Sequence, residues 1–91
     1  MNMEIIQNRY GSDRVIEKIS PSRIRITGDS MVSRIRKDES GKCTMYDFEG
    51  GPCLNVGGKI NFGKLDWVIT KIEEEKQEHE NLCSVILDIK M

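Results

Sequence analysis

The stretch Arg23-Ile24-Arg25-Ile26-Thr27 alternates charge and apolar bulk at every step. A strand sends successive side chains to opposite faces, so both isoleucines fall on one side and both arginines on the other. That is the signature of a half-buried strand and not of a helix, whose apolar positions recur every three or four residues. Pro21-Ser22 opens the stretch and Gly28-Asp29 closes it. Met31 to Lys37 follows at hairpin distance, with Ile35 between Arg34 and Arg36 in the same inside-outside order. A hairpin is therefore expected here, its two strands holding Arg23, Arg25, Arg34 and Arg36 on one face.

Working outward, Asp38-Glu39-Ser40-Gly41 is turn chemistry, and Lys42 to Phe48 alternates as a third strand, with Cys43 and Met45 on one face and Thr44, Tyr46 and Phe48 on the other. Glu49-Gly50-Gly51-Pro52 ends it. Leu54-Asn55-Val56-Gly57-Gly58 is too short and glycine-rich for a helix and reads as a loop anchored by Leu54 and Val56. Ile60 and Phe62, a Gly63-Lys64 turn, then Trp67 and Ile69 form a hairpin pattern within Lys59 to Glu73. Residues 73–81 carry seven charged or ionisable side chains (Glu73, Glu74, Glu75, Lys76, Glu78, His79 and Glu80) and no apolar one, and read as a charged hairpin tip, with a single exposed helical turn as the alternative. Leu82 to Ile89 is apolar on both faces apart from Ser84 and Asp88, as in a central or partner-covered strand. Toward the N-terminus, Ile5-Ile6 and Val15-Ile16-Ile19 fit strands or a short helix, and the alternation of Val15, Glu17 and Ile19 against Ile16 and Lys18 favours a strand.

The fold expected is all-β: a small antiparallel β-barrel or sandwich of five to seven short strands, forming one domain over residues 1–91. Aromatics make up only 5%, so at least two of Trp67, Tyr46 and Phe48 are expected in the core. So thin a core, with sheet edges left open, leads to the expectation of a homo-oligomer. The chain shows neither an apolar run long enough to span a bilayer nor a signal-peptide pattern at Met1-Asn2-Met3-Glu4, so a cytoplasmic protein with no membrane partner is expected. Cys43, Cys53 and Cys83 are odd in number and come with one histidine, which fits neither a disulfide framework nor a metal site; a Cys43 to Cys83 bridge stays open as an alternative to free thiols.

The net charge of -1 conceals a division: residues 1–45 hold nine basic and six acidic side chains, and residues 46–91 hold five and nine. All six arginines precede residue 37. A duplex nucleic acid is an unexpected partner for a domain without net basic charge, so an anion site has to be local. Four guanidinium forks on two neighbouring strands would make such a site for phosphate oxygens; the ordinary alternative is that they pair with Asp29, Asp38 or glutamates on the next strand. The glycines around Gly50-Gly51-Pro52 and Gly57-Gly58 allow backbone N–H groups to cradle a phosphate, or serve only as hairpin and bulge positions. Gly58-Lys59 is followed by Ile60, so this is not a P-loop. His79 lies among glutamates and Cys53 has no base in local sequence reach, so no catalytic residue and no cofactor is expected.

Residues 45–60, Met-Tyr-Asp-Phe-Glu-Gly-Gly-Pro-Cys-Leu-Asn-Val-Gly-Gly-Lys-Ile, resemble a segment of small β-rich bacteriophage proteins, including those of the anti-defence type. The resemblance implies a compact inhibitor that occupies a host factor or sequesters a nucleotide signal, without catalysis. The candidate ligand-binding set is Arg23, Arg25, Arg34, Arg36, Tyr46, Asp47, Gly50 and Gly51. The leading expectation is a non-enzymatic protein that sequesters a small phosphorylated ligand. The alternatives are a protein-protein inhibitor that blocks a host protein through an exposed edge strand or the acidic tip, and a single-stranded nucleic-acid binder.

Overall fold

Isoleucine, valine and aromatic residues at alternate positions extend the chain into nine strands in the computed structural model, which describes residues 3–7, 13–48, 51–76 and 81–91. They are β1 (Met3–Gln7), β2 (Asp13–Ser20), β3 (Arg23–Asp29), β4 (Ser33–Lys37), β5 (Cys43–Phe48), β6 (Leu54–Asn55), β7 (Lys59–Phe62), β8 (Leu65–Glu75) and β9 (Leu82–Lys90). One turn of 3-10 helix, Ser30–Val32, joins β3 to β4. The all-β, antiparallel architecture read from the alternation is the one observed. The strand total exceeds the expected five to seven because the N-terminal segments form two strands and Leu54-Asn55 pairs as a short strand in place of a loop.

All nine strands belong to one sheet with the order β1-β2-β3-β9-β8-β5-β4, β6 pairing with β5 and β7 with β8. β9 is central, between β3 and β8, as its two apolar faces required. The β7–β8 hairpin pairs Ile60 with Trp67 and Phe62 with Leu65 around Gly63 and Lys64, both at positive φ. The expected β3–β4 hairpin does not form. β3 pairs with β2 and β9, whereas β4 pairs with β5, three strands further along the sheet. The cause is local: Asp29 accepts the Met31 N–H at 2.8 Å, and Ser30 donates its N–H to the Asn81 carbonyl at 2.9 Å. The chain therefore leaves β3 through a capped turn bound to the start of β9 and does not fold back on itself.

The sheet turns a corner where β5 meets β8. These strands pair at Cys43 and Ile72 and then diverge. β6 enters the gap, placing Leu54 opposite Tyr46 and Asn55 opposite Met45. Val56 then donates to the Thr44 carbonyl, Gly57 donates to the Ile69 carbonyl at 2.7 Å, and Ile69 donates back to the Gly58 carbonyl at 2.9 Å. The wedge is hydrogen-bonded on both sides and folds one part of the sheet over the other. Ile16 and Ile26 come from one part, and Phe48, Leu54 and Ile60 from the other; all five line one cleft of about 250 Å³. The core between the parts also takes in Ile24, Tyr46, Phe62, Trp67, Ile69, Ile72, Val85, Leu87 and Ile89. Val56, expected as an anchor, is exposed, because its turn directs Leu54 alone inward.

The charged run after Ile72 is more ordered than its composition suggested. β8 extends through Glu73, Glu74 and Glu75, which pair with Ile86, Val85 and Ser84 of β9. Within the expected tip of 73–81, residues 77–80, His79 among them, lie outside the described residues.

Candidate functional site

The outer face of β3 carries Arg23, Arg25 and Thr27, and the partners directly across on β9 are Asp88, Ile86 and Ser84. A guanidinium has donors along two edges of a plane, and a carboxylate offers two acceptors at matching spacing, so pairs of this kind lock bidentately. Arg25 does so across β9: its Nε and Nη2 donate to Glu75 Oε1 and Oε2 at 2.9 and 3.0 Å. Its Nη1 donates to Glu17 Oε1 of β2 at 2.9 Å. Ser84 Oγ donates to Glu75 Oε1 at 3.0 Å and lies 3.2 Å from Thr27 Oγ1. Arg23 Nε donates to Asp88 Oδ1 at 2.8 Å. One polar network thus spans β2, β3, β9 and β8. The Arg25 hydrogen bonds hold the Glu75 carboxyl below its ordinary range, and Glu75 in turn raises the Arg25 guanidinium.

Arg34 and Arg36 are in a different place and state. They sit on β4, the last strand of the sheet order, opposite Asp47 and Met45 of β5. Both are exposed, and the Arg34 side chain retains 78% of its free accessibility. Its nearest carboxylate oxygen is Asp47 Oδ1 at 4.0 Å, an ion pair without a hydrogen bond. Asp47 Oδ1 is itself buried and accepts no hydrogen bond among the described residues. Beside them Lys37 Nζ reaches Glu74 Oε1 at 3.1 Å, bridging β4 to β8.

The four-arginine platform expected from the sequence is therefore divided. Arg23 and Arg25 are paired with Asp88, Glu75 and Glu17, whereas Arg34 and Arg36 face solvent on another strand, Arg34 with only a 4.0 Å ion pair to Asp47. Of the partners expected, glutamates are found on Arg25, Glu17 from the neighbouring β2 and Glu75 from β8, whereas Asp29 and Asp38 are not partners. Asp29 caps the turn after β3, and Asp38 accepts from Ser40 and Lys42 in its own loop.

Tyr46 is no stacking surface. It is 0% exposed, with its ring 6.0 Å from that of Phe48 in the core, and Trp67 is buried as well, donating its indole N–H to the Phe62 carbonyl at 3.0 Å. Gly51 is no phosphate cradle. Its N–H donates to the Phe48 carbonyl at 2.9 Å, and the Phe48 ring occupies the space that a Cβ would need. The N–H groups of Val56, Gly57 and Gly58 are likewise taken by the carbonyls of Thr44, Ile69 and Asn55. Gly50 lies outside the described residues.

Sequence reading offers glutamates of the next strand as partners without saying which; Glu17 and Glu75 fill that place for Arg25, and Asp88, the partner of Arg23, is the group it misses. The signal was present in alternation, since Glu73 and Glu75 share a parity and Lys71 precedes them, but register across three strands assigns the partners. Cys43 and Cys83 are half-buried free thiols and Cys53 is an exposed one. Among the described residues no group of three His, Cys, Asp or Glu side chains is placed to hold a metal ion, and no helix is long and apolar enough to cross a membrane. No protein family, curated protein or solved structure matches this chain.

Proposed function

We propose that the chain is a non-catalytic binding protein that recognises an acidic protein partner along the β4 edge. The observation that carries this reading is the separation of its arginines into two states. Those on β3 are held by carboxylates of the fold, whereas Arg34 and Arg36 project from a terminal strand toward solvent. Exposed guanidinium groups gain most from carboxylates presented at the spacing of the strand that holds them. A nucleotide-sequestering site loses support, because its four forks are divided between two regions and the glycine-loop N–H groups are engaged internally. The reading also fits the resemblance of residues 45–60 to small bacteriophage proteins, which implies a compact inhibitor that occupies a host factor.

The test is an amide chemical-shift titration of the labelled protein with a short oligoglutamate peptide and, separately, with mono-, di- and cyclic nucleotides. Peptide-induced shifts on β4 and β5 that vanish in the Arg34→Glu, Arg36→Glu double variant are expected. Shifts from nucleotides alone would replace this reading with nucleotide sequestration. No shifts from either, or shifts unaffected by the double variant, would remove the β4 edge as the site.

A further inference from the structure

We infer that β4 takes up an extended segment of its partner as an added strand, and that this segment carries acidic residues on either side of an apolar one. The inference rests on the reading of β4 as the recognition edge and specifies what that edge recognises.

Backbone direction comes first. The Thr44 carbonyl accepts from Val56, and Tyr46 pairs with Leu54, so Thr44 and Tyr46 direct their backbone polar groups toward β6. Along an antiparallel strand these directions alternate, so Met45 and Asp47 direct theirs toward β4 and bond with Arg36 and Arg34. Ile35, between them, is left with its N–H and C=O pointing away from β5, where no described strand lies. At Ser33 the N–H is already taken by the Ser30 carbonyl, so the open window centres on Ile35. This is the geometry that strand addition uses.

Side-chain direction then sets the partner's pattern. Arg34 and Arg36 point outward, and Ile35 points inward, half-buried against the core. Side chains directly opposite on paired strands lie close enough to interact, so the added strand meets two guanidinium groups flanking an isoleucine. The apolar residue of the added strand lies beside Ile35 and within reach of the exposed Leu82, both on a hollow of about 400 Å³ whose remaining lining is mostly serine and glutamate. The two acidic residues that share this hollow are engaged within the fold, Glu74 with Lys37 and Glu75 with Arg25. A second copy of β4 is the wrong occupant. Antiparallel pairing centred on Ile35 would set Arg34 of each copy against Arg36 of the other, and like charges directly opposite are unfavourable.

Two peptides of identical composition test this: one alternates glutamate and valine, and the other has its glutamates and valines in separate blocks. The alternating peptide is expected to bind about tenfold more tightly, since two charge pairs and one apolar pair align only in that order. Its binding should slow hydrogen exchange at the Ile35 amide. Ile35→Pro, which removes the outward N–H without removing a bond to β5, should abolish the difference between the peptides. Arg36→Glu, which leaves the backbone intact, should weaken the alternating peptide as well. Equal affinity for the two peptides, or an Ile35 amide that exchanges as fast in the complex, overturns strand addition while leaving acidic recognition standing. If neither peptide binds, both readings fall together.

Discussion

The Arg25 guanidinium donates from three nitrogens, two to Glu75 and one to Glu17, and so ties three strands, β2, β3 and β8, through one side chain. Because the Glu75 carboxyl sits below its ordinary value of 4.5 in the folded chain, the unfolded chain binds protons more readily there. This contribution is complete above that ordinary value and is lost as the pH falls through the lower folded one. With both side chains about a third exposed, screening limits it to about 1 kcal/mol. Urea titrations at neutral pH and at pH 3 should show the loss, and Arg25→Gln should remove that part of the pH dependence. Gly51 illustrates a different constraint. Any Cβ there collides with the Phe48 ring, so Gly51→Ala should lower stability by about 1–3 kcal/mol, read from the urea midpoint. The sequence marked this glycine as special, but the reason is a buried ring and not a ligand.

At the scale of elements, β6 and its following turn determine the shape of the sheet. Two paired residues and three backbone hydrogen bonds fill the gap between β5 and β8. Gly57 holds a φ of +88° in this turn, with open space where a Cβ would stand. Gly57→Ala should therefore cost about 1–2 kcal/mol through backbone conformation alone, and Gly57→Asn should recover part of it in the same denaturation assay. β9 is the opposite kind of element. Val85 and Leu87 are fully buried between its neighbours, and Leu87→Ala should cost about 2–5 kcal/mol. Strands such as β9 and β3 were legible because alternation or double-sided apolarity names the buried face. β6 was not, since a two-residue strand has no period to read.

Across the whole molecule, one core serves both parts of the folded sheet. The radius of gyration is 12.3 Å, close to the roughly 12 Å of a compact chain of this length. The smallest dimension, 24 Å, accommodates two sheet layers about 10 Å apart with their outer side chains. A shared core couples the layers, so unfolding should be a single transition. Trp67 is the sole tryptophan and lies buried under the Lys18 ammonium, which is 4.9 Å from its ring. Its fluorescence and the far-ultraviolet circular dichroism should therefore change together in urea. Two separated midpoints would show that the layers melt independently.

Local sequence decided that this chain is all-β, that Ile24 and Ile26 of β3 share the apolar face, that β9 is apolar on both faces, and that at least two of Trp67, Tyr46 and Phe48 belong to the core. Those properties depend on local period and on the removal of apolar area from water, both readable along the chain. It did not determine which strands are neighbours. Hairpin spacing suggested that β3 and β4 pair, but the capped turn at Asp29 and the Ser30 bond to Asn81 send β4 to the far end of the sheet. That choice separates Arg34 and Arg36 from Arg23 and Arg25 and brings Glu75 within reach of Arg25. Charge pairing depends on which strands lie side by side, and only the tertiary fold makes residues distant in sequence into neighbours.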